Sequence, residues 1–497
     1  MQFWSAHEKF IARTISQHPI QKFDGWEFCL KTRLPILFER LQLKDAIKLA
    51  SPSFLSIPIT LLAVPACLSV IGVSAYGLLL IFFLLINQSH MLLFGAEKNL
   101  IREILKKSAF LPNLYLLQII TFLYGVLLAF FFIVIVAKLG FFDTTPISAS
   151  NLYFLAAGIP VHFLWSSQRA ILQGTEKFNA LGLTTFLYMA ATQYMPLAVI
   201  LVAPDSSKTL TNFLCAVLLA RAAITVCIIP LTKINAGTTN SSNYFDVFRL
   251  MNYGKWMGFN QMIQIFFDGA DRYFIGIFLS PAAVAIYSIP MQVAQKLAAV
   301  PIAFSQIVFN KTSASSAKKS ENHFLCFSLI APLISAFYFA VNGPFFKFWL
   351  GHHATPIIQE LAILTFTAVM FTSFNFVLTS IIEASGNAKQ LTKYDSVMFM
   401  PLIGLVALLT FQFGVIGASA ALILKEIIFF TLRLKILRPS LIFIKISLST
   451  SAFIFASAAF AYYFLFSDLS LALSQILISI FWILTLHANK HLAPSWR

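Results

Sequence analysis

The sequence predicts an all-α polytopic membrane protein of about fourteen transmembrane helices, and three observations carry that prediction. Of 497 residues, 59% are hydrophobic and 11% charged, with 53 phenylalanines; a water-exposed surface needs far more charge than this. Long apolar runs alternate with short polar breaks to the end of the chain. Lysine and arginine are sorted into alternate breaks, as the positive-inside rule requires. The net charge of +16 would suggest nucleic acid in a soluble protein; here it serves orientation, and no nucleic-acid partner is expected.

A span needs about 20 apolar residues. On that measure spans are expected near residues 49–72, 75–96, 111–137, 151–172, 180–203, 210–231, 256–279, 283–309, 324–346, 357–383, 395–413, 416–437, 442–466 and 469–487. Two pairs are joined by very short turns, at Gly72-Val73-Ser74 and Ser280-Pro281. With the N-terminus inside, the outer loops hold only Lys138, Lys208 and Lys347, whereas Lys98, Arg102, Lys106, Lys107, Lys311, Lys318, Lys319, Arg433, Lys435 and Arg438 fall on the inner side. Both termini are therefore expected in the cytoplasm.

The N-terminus carries Glu8, Lys9 and Arg13 and no apolar region followed by a small-residue cleavage site, so no signal peptide is expected. Residues 1–47 read as a cytoplasmic lead, within which 22–48 mixes apolar and basic positions as an interfacial amphipathic helix interrupted by Pro35. The five cysteines (Cys29, Cys67, Cys215, Cys227, Cys326) are scattered, with no CxxC and no histidine cluster. Neither a disulfide frame nor a metal site nor a bound cofactor is expected.

The chain also repeats itself at an offset of about 211 residues. Ser74-Ala75-Tyr76-Gly77 opens the second span and Ala285-Ile286-Tyr287-Ser288 the eighth; Gly140 and Gly351 leave the third and ninth; Gly174 and Gly386 follow the fourth and tenth. Six spans per unit is an even number, so the units enter the membrane in the same direction, as parallel repeats do in alternating-access transporters. The expected layout is a first lobe over 48–232, a cytoplasmic linker over 233–255, a second lobe over 256–437, and two appended helices with a short cytoplasmic tail over 438–497.

Polar residues inside spans mark the functional candidates, because a charge at bilayer depth costs several kcal/mol unless it meets a partner or a water-filled cavity. The seventh span carries Asn260, Gln264, Asp268, Asp271 and Arg272 at steps of three and four, one stripe of a helix. An Asp268–Arg272 pair at i,i+4 that satisfies only itself is the alternative. The fourth span adds His162, Ser166, Arg169 and Gln173, the eighth Gln292, Gln295 and Lys296, and the tenth Thr372, Asn375, Thr379 and Glu383. Arg221 lies mid-span in the sixth and Lys425-Glu426 in the twelfth. Deep positive charge exceeds negative, which suits an anionic substrate held by Arg169, Arg221, Lys296 and Lys425. An interhelical ion pair or a snorkelling chain remains open for each one singly. Asp268 and Asp271, on adjacent turns, are the candidates for coupling to H⁺ or Na⁺. Prolines such as Pro160, Pro196, Pro290 and Pro301 mark expected bends.

Several motifs resemble a known family: Ile71-Gly72-Val73-Ser74-Ala75-Tyr76-Gly77-Leu78, Asp271-Arg272-Tyr273-Phe274-Ile275-Gly276 with Ala283-Val284-Ala285-Ile286-Tyr287, Trp349-Leu350-Gly351, Gly386-Asn387-Ala388 and Gly414-Val415-Ile416-Gly417-Ala418. In order and spacing over residues 48–437 they are similar to the Wzx-like polysaccharide flippases of the multidrug/oligosaccharidyl-lipid/polysaccharide exporter superfamily. The resemblance implies a MATE-like pair of six-helix lobes around a cationic cavity. It also implies a bacterial inner-membrane flippase, not an enzyme, that moves an undecaprenyl-diphosphate-linked oligosaccharide such as an O-antigen unit, driven by a cation gradient. A polysaccharide polymerase and a chain-length regulator are the protein partners to be expected. Arg272, within the shared motif, reads as a gate or structural ion pair with Asp271. The long lead and the two extra spans depart from the Wzx pattern. Fourteen spans also occur in the peptidoglycan-precursor flippases, and a multidrug/cation antiporter of the same superfamily is the further alternative. An enzyme such as a glycan ligase needs a large outer loop with Arg or His, and the longest here, near 138–150, has only Lys138 and Asp143.

Overall fold

All regular structure among the described residues is helical, as the apolar runs require. The structure, a computed structural model, describes residues 43–93, 96–105, 114–138, 149–204, 208–232, 245–314 and 344–437, with parts of 331–342 and 449–458. Most of the expected lead, the span at 469–487 and much of those at 324–346 and 442–466 lie outside the described residues. Contacts group the chain into two units, Met1–Asp45 and Ala46–Arg497. The cavity and helix packing belong to the second.

Helix α1 covers Leu43–Gln88 and holds both of the first two expected spans, broken at Gly72 with φ 78° and ψ 165°. Only glycine adopts that backbone readily, so the turn falls where the sequence places it. A 3₁₀ turn at Ser89–Leu93 leads to the short amphipathic α2, Ala96–Leu105, followed by α3, Leu114–Lys138, and α4, Ala149–Gly174. Then come α5, Phe178–Val202, and α6, Leu210–Ile228, whose N-cap Thr209 accepts a hydrogen bond from the Asn212 N–H at 3.4 Å. Helix α7 runs Phe245–Phe278, so it takes in residues 245–255 of the expected linker.

Ser280 and Pro281 separate α7 from α8, Pro281–Leu297; the Ser280 hydroxyl caps the new helix by accepting from the Ala283 N–H at 3.1 Å. Helix α9, Ala299–Ala314, continues α8 after a bend of 49°. Pro301 has no N–H for the Leu297 carbonyl, which accounts for a bend there rather than one straight span over 283–309. Helix α10 is Pro356–Ala384 and α11 is Ala388–Leu437, broken at Gly414 with φ 62° and ψ −141°. The break is a reversal: a Cβ on Gly417 would lie 1.9 Å from the Leu409 carbonyl oxygen, whereas residues eight apart in a straight helix are about 12 Å apart.

Six described helices are long and apolar enough to cross a membrane, or seven with the bent α8–α9 pair, so this is a multi-pass membrane protein. Three of the fourteen expected spans lie wholly or largely outside the described residues, and the rest of the difference has physical sources. Helices α1 and α11 each contain two expected spans, while α4 and α7 carry polar stripes. Burial ranks the rest: 83% of the apolar window of α10 is buried against 22% for α3, which makes α10 the central post and leaves α3 to face lipid. Gly174 and Ala384 close α4 and α10, and Phe178 and Ala388 open α5 and α11, 210 residues apart in both cases.

Candidate functional site, the central cavity

The two halves of the chain meet around a cavity of about 530 Å³, walled by α1, α4 and α5 from the first half and by α7 to α11 from the second. Both segments of α1 contribute, with Ser56 on one and Tyr76, Phe83 and Asn87 on the other. Of the residues expected to bind substrate, Arg169 and Lys296 line this cavity, together with Asp268, Asp271 and Arg272. Lys296 on α8 donates from Nζ to the Ser56 hydroxyl on α1 at 2.6 Å, a hydrogen bond between the halves. The Arg169 guanidinium lies 5.6 Å from the centre of the Trp165 ring, one helical turn away, and is in electrostatic contact with Glu97. Glu97 in turn accepts a hydrogen bond from Ser166.

Arg221 and Lys425 do not line the cavity, which departs from the cationic set expected from the sequence. Lys425 is buried and pairs with its neighbour Glu426 at 2.8 Å. Glu426 itself reaches the cavity and accepts from Asn375 Nδ2 at 2.6 Å. Arg221 is enclosed within the first half, against Tyr188 and Phe83.

The α7 stripe resolves into two levels. Near the cavity, Asp271 has both carboxylate oxygens engaged, accepting from the Arg272 backbone N–H at 2.8 Å and from the Tyr287 hydroxyl. Asp268 is exposed to the cavity, with Lys425 and Glu426 as its nearest charges on another helix. The ion pairs among the described residues are Lys98–Glu383, Lys425–Glu426 and Arg433–Asp395. The self-satisfied Asp268–Arg272 pair is therefore not formed, and neither is an Asp271–Arg272 side-chain pair. One level down, Gln264 donates to Asp395 at 2.7 Å and Asn260 to Glu383 at 3.4 Å.

That lower level closes one end of the cavity. Lys98 on α2 pairs with Glu383 on α10 at 2.6 Å, and Asn310 on α9 donates to the Gln173 carbonyl on α4 at 3.3 Å; both join the halves. At the other end a Cβ on Gly77 would lie 1.8 Å from the Pro281 carbonyl oxygen, so the turns of the two halves touch backbone to backbone. The Trp349 indole N–H donates to the Leu61 carbonyl at 2.7 Å nearby.

A closed two-half bundle with a polar, charged cavity at its centre is a transporter's architecture, and sequence comparison gives the family. A model described as polysaccharide biosynthesis protein matches residues 70–352. The chain belongs to that family. The match begins at the Gly72 turn and runs to the Trp349-Leu350-Gly351 motif, so it takes in the cavity-lining parts of α4, α5 and α7 to α9 and leaves out those of α10 and α11. A Shigella flexneri protein described as "Putative O-antigen transporter" is 22% identical over 281 residues, 55% of this chain and 66% of that protein. The matched stretch thus spans just under two thirds of that relative's length. Solved structures share the fold: MATE in its straight conformation (TM-score 0.60, 15% identity, 79% of this chain and 96% of that one) and a MOP superfamily transporter from Pyrococcus furiosus (0.60, 15%, 80% and 97%). The lipid II flippase MurJ in an inward closed conformation gives 0.59 at 17% identity over 90% of this chain and 99% of that one. These relatives are transporters and flippases, not enzymes, and the family member described here is an all-helical membrane protein of the same fold.

Sequence reasoning missed Trp165 and Tyr188, whose rings stack 4.2 Å apart between Arg169 and Arg221. The i,i+4 spacing of Trp165 and Arg169 could have revealed half of that stack. It also missed Lys98 as a partner of Glu383, because nothing in sequence joins α2 to α10.

Proposed function

We propose that this protein is a flippase that carries an undecaprenyl-diphosphate-linked oligosaccharide, an O-antigen or other surface polysaccharide unit, across the bacterial inner membrane by cation-coupled alternating access. The observation that carries the reading is the cavity between the halves, with Arg169, Lys296 and Arg272 presented to it from three different helices. A guanidinium offers paired donors that match phosphate oxygens, and an ammonium adds a point charge. The family and the S. flexneri relative supply the class of cargo. Residues 48–232 and 256–437 act as two parallel six-span lobes with 438–497 appended, and with both termini in the cytoplasm the Lys98–Glu383 end faces inward. Asp268, open to the cavity, couples H⁺ or Na⁺; Asp271, with both oxygens hydrogen-bonded, holds α7 to α8. A polymerase and a chain-length regulator act on the delivered unit.

Complementation of a strain lacking its own O-antigen flippase tests this. Arg169→Ala with Lys296→Ala lowers surface glycan at least about tenfold at equal membrane levels, the loss of two charge-assisted contacts. Normal export by the double variant overturns the reading. The likeness to MurJ over 90% of the chain favours a peptidoglycan precursor as the second reading, and growth of a MurJ-depleted strain on this protein alone would establish it.

A further inference from the structure

Arg221 presents an unsolved electrostatic problem. It is 2% exposed, and its Nε, Nη1 and Nη2 find no hydrogen-bond acceptor among the described residues. The Tyr188 ring lies 4.5 Å from the guanidinium carbon and the Phe83 ring 5.6 Å. The Tyr188 hydroxyl, itself bonded to His162 Nδ1 at 3.0 Å, interacts with the guanidinium short of full hydrogen-bond geometry, and it is a neutral group that leaves the charge unbalanced. A guanidinium does not lose its proton in a protein, so the charge stays. Two aromatic faces offset part of its desolvation, each by about 0.5–2 kcal/mol; the remainder of a several-kcal/mol penalty is unmet.

The surroundings indicate what meets it. A void of about 10 Å³ beside Arg221 is lined by Phe83, Ile86, Phe154 and Gly158, room for about one water and no more. Phe83 also lines the central cavity. A single aromatic ring therefore stands between an unpaired guanidinium and the space that holds the substrate. Lys425, equally deep in the second half, has no such need because Glu426 neutralises it.

We propose that Arg221 is a second oxyanion subsite, shut off by the Phe83 ring in this conformation and joined to the cavity when that ring turns. Its ligand is a phosphate-type oxyanion, bound by the paired N–H groups of the guanidinium. Only the physiological source, the diphosphate of a lipid-linked glycan, rests on the flippase reading; the subsite itself stands on the burial of Arg221 and on its having no anionic partner among the described residues.

The test uses purified full-length protein in nanodiscs, with inorganic pyrophosphate in one arm and undecaprenyl diphosphate in the other. Phe83→Ala tightens pyrophosphate binding by on the order of tenfold, the scale of one charge-assisted pair, and Phe83→Ala with Arg221→Gln loses that gain. A gain in both arms assigns the subsite to any phosphate oxyanion, and a gain confined to the second arm assigns it to the lipid headgroup. Equal binding by Phe83→Ala and the double variant in both arms overturns the proposal. Phe83→Leu serves in the same series if the alanine variant does not elute as a folded species. The unsubstituted protein gives an independent readout: phenylglyoxal labels Arg221 slowly and pyrophosphate protects it, whereas an Arg221 indifferent to pyrophosphate counts against the subsite. Export by the Arg169 and Lys296 variants does not enter these arms, so the two readings fail separately.

Discussion

Arg221 of the first half and Lys425 of the second are both deeply buried cations, 2% and 1% exposed, and they are met in opposite ways. Lys425 has a carboxylate beside it in the chain, at 2.8 Å, which is itself held by Asn375. Arg221 has aromatic faces and no acid. The second half thus neutralises Lys425 with an adjacent acid and presents both signs to the cavity, Lys296 and Arg272 beside Asp268 and Glu426, while the first half keeps a buried positive charge behind a ring. The halves share a helix pattern but not a chemistry.

The largest effect expected from this contrast is on stability. Glu426→Gln removes the acid in contact with buried Lys425, leaves it only the more distant Asp268, and costs about 3 kcal/mol. Arg221→Met removes a charge that nothing compensates, and costs less than about 1 kcal/mol or stabilises the fold. Thermal unfolding midpoints in one detergent compare the two directly. An Arg221→Met variant that melts as early as Glu426→Gln would mean that Arg221 has a counter-charge, and the contrast between the halves would be lost.

A smaller difference separates the two carboxylates of α7. Tyr287 donates to Asp271, so Tyr287→Phe costs about 1–3 kcal/mol by leaving a buried carboxylate oxygen without its donor. Asp268→Asn disturbs no hydrogen bond between described residues, so its unfolding free energy stays within about 0.5 kcal/mol of the parent, while glycan export falls. Export at parental levels by Asp268→Asn removes this carboxylate from coupling and shifts attention to Glu426.

How much of this was legible follows from where the deciding neighbours sit. The α7 stripe is set by steps of three and four, so its facing was readable; Lys425 and Glu426 are adjacent in sequence, yet Lys425 was expected in the cavity and their pairing was missed. The Gly72 and Ser280-Pro281 turns were readable because glycine and proline act on the local backbone. The isolation of Arg221 was not, since Phe83 and Tyr188 come from α1 and α5, and no periodicity records which ring a third helix presents. The same holds for Asp271: its motif with Arg272 suggested a side-chain pair, yet the donors that satisfy it are a backbone N–H and a tyrosine from α8.

The smallest effect concerns the ion pair that ties the halves together. Helix α2 carries adjacent opposite charges, Glu97 bonded to Ser166 in its own half and Lys98 paired with Glu383 in the other. The Lys98 side chain is 29% exposed while Glu383 is buried, so part of the attraction is screened and the pair contributes about 1 kcal/mol or less to the closed arrangement. Its value lies in where it acts: any opening at this end must separate these charges and leave Glu383 with only the long Asn260 contact at 3.4 Å. Lys98→Ala therefore shifts the population toward the open end with little loss of stability, and Lys98→Glu does so further by setting two carboxylates against each other. Cysteine accessibility at Gln173, which faces Asn310 across the same seam, measures the shift; labelling rises about two- to fivefold in Lys98→Ala, the population change that 0.4–1 kcal/mol allows. The charge swap Lys98→Glu with Glu383→Lys restores low labelling if the two side chains act on each other alone. Labelling that stays high in the swap would place the latch in the Asn260 and Asp395 network below, which belongs wholly to the second half, and the seam between the halves would then carry no charge pair of its own.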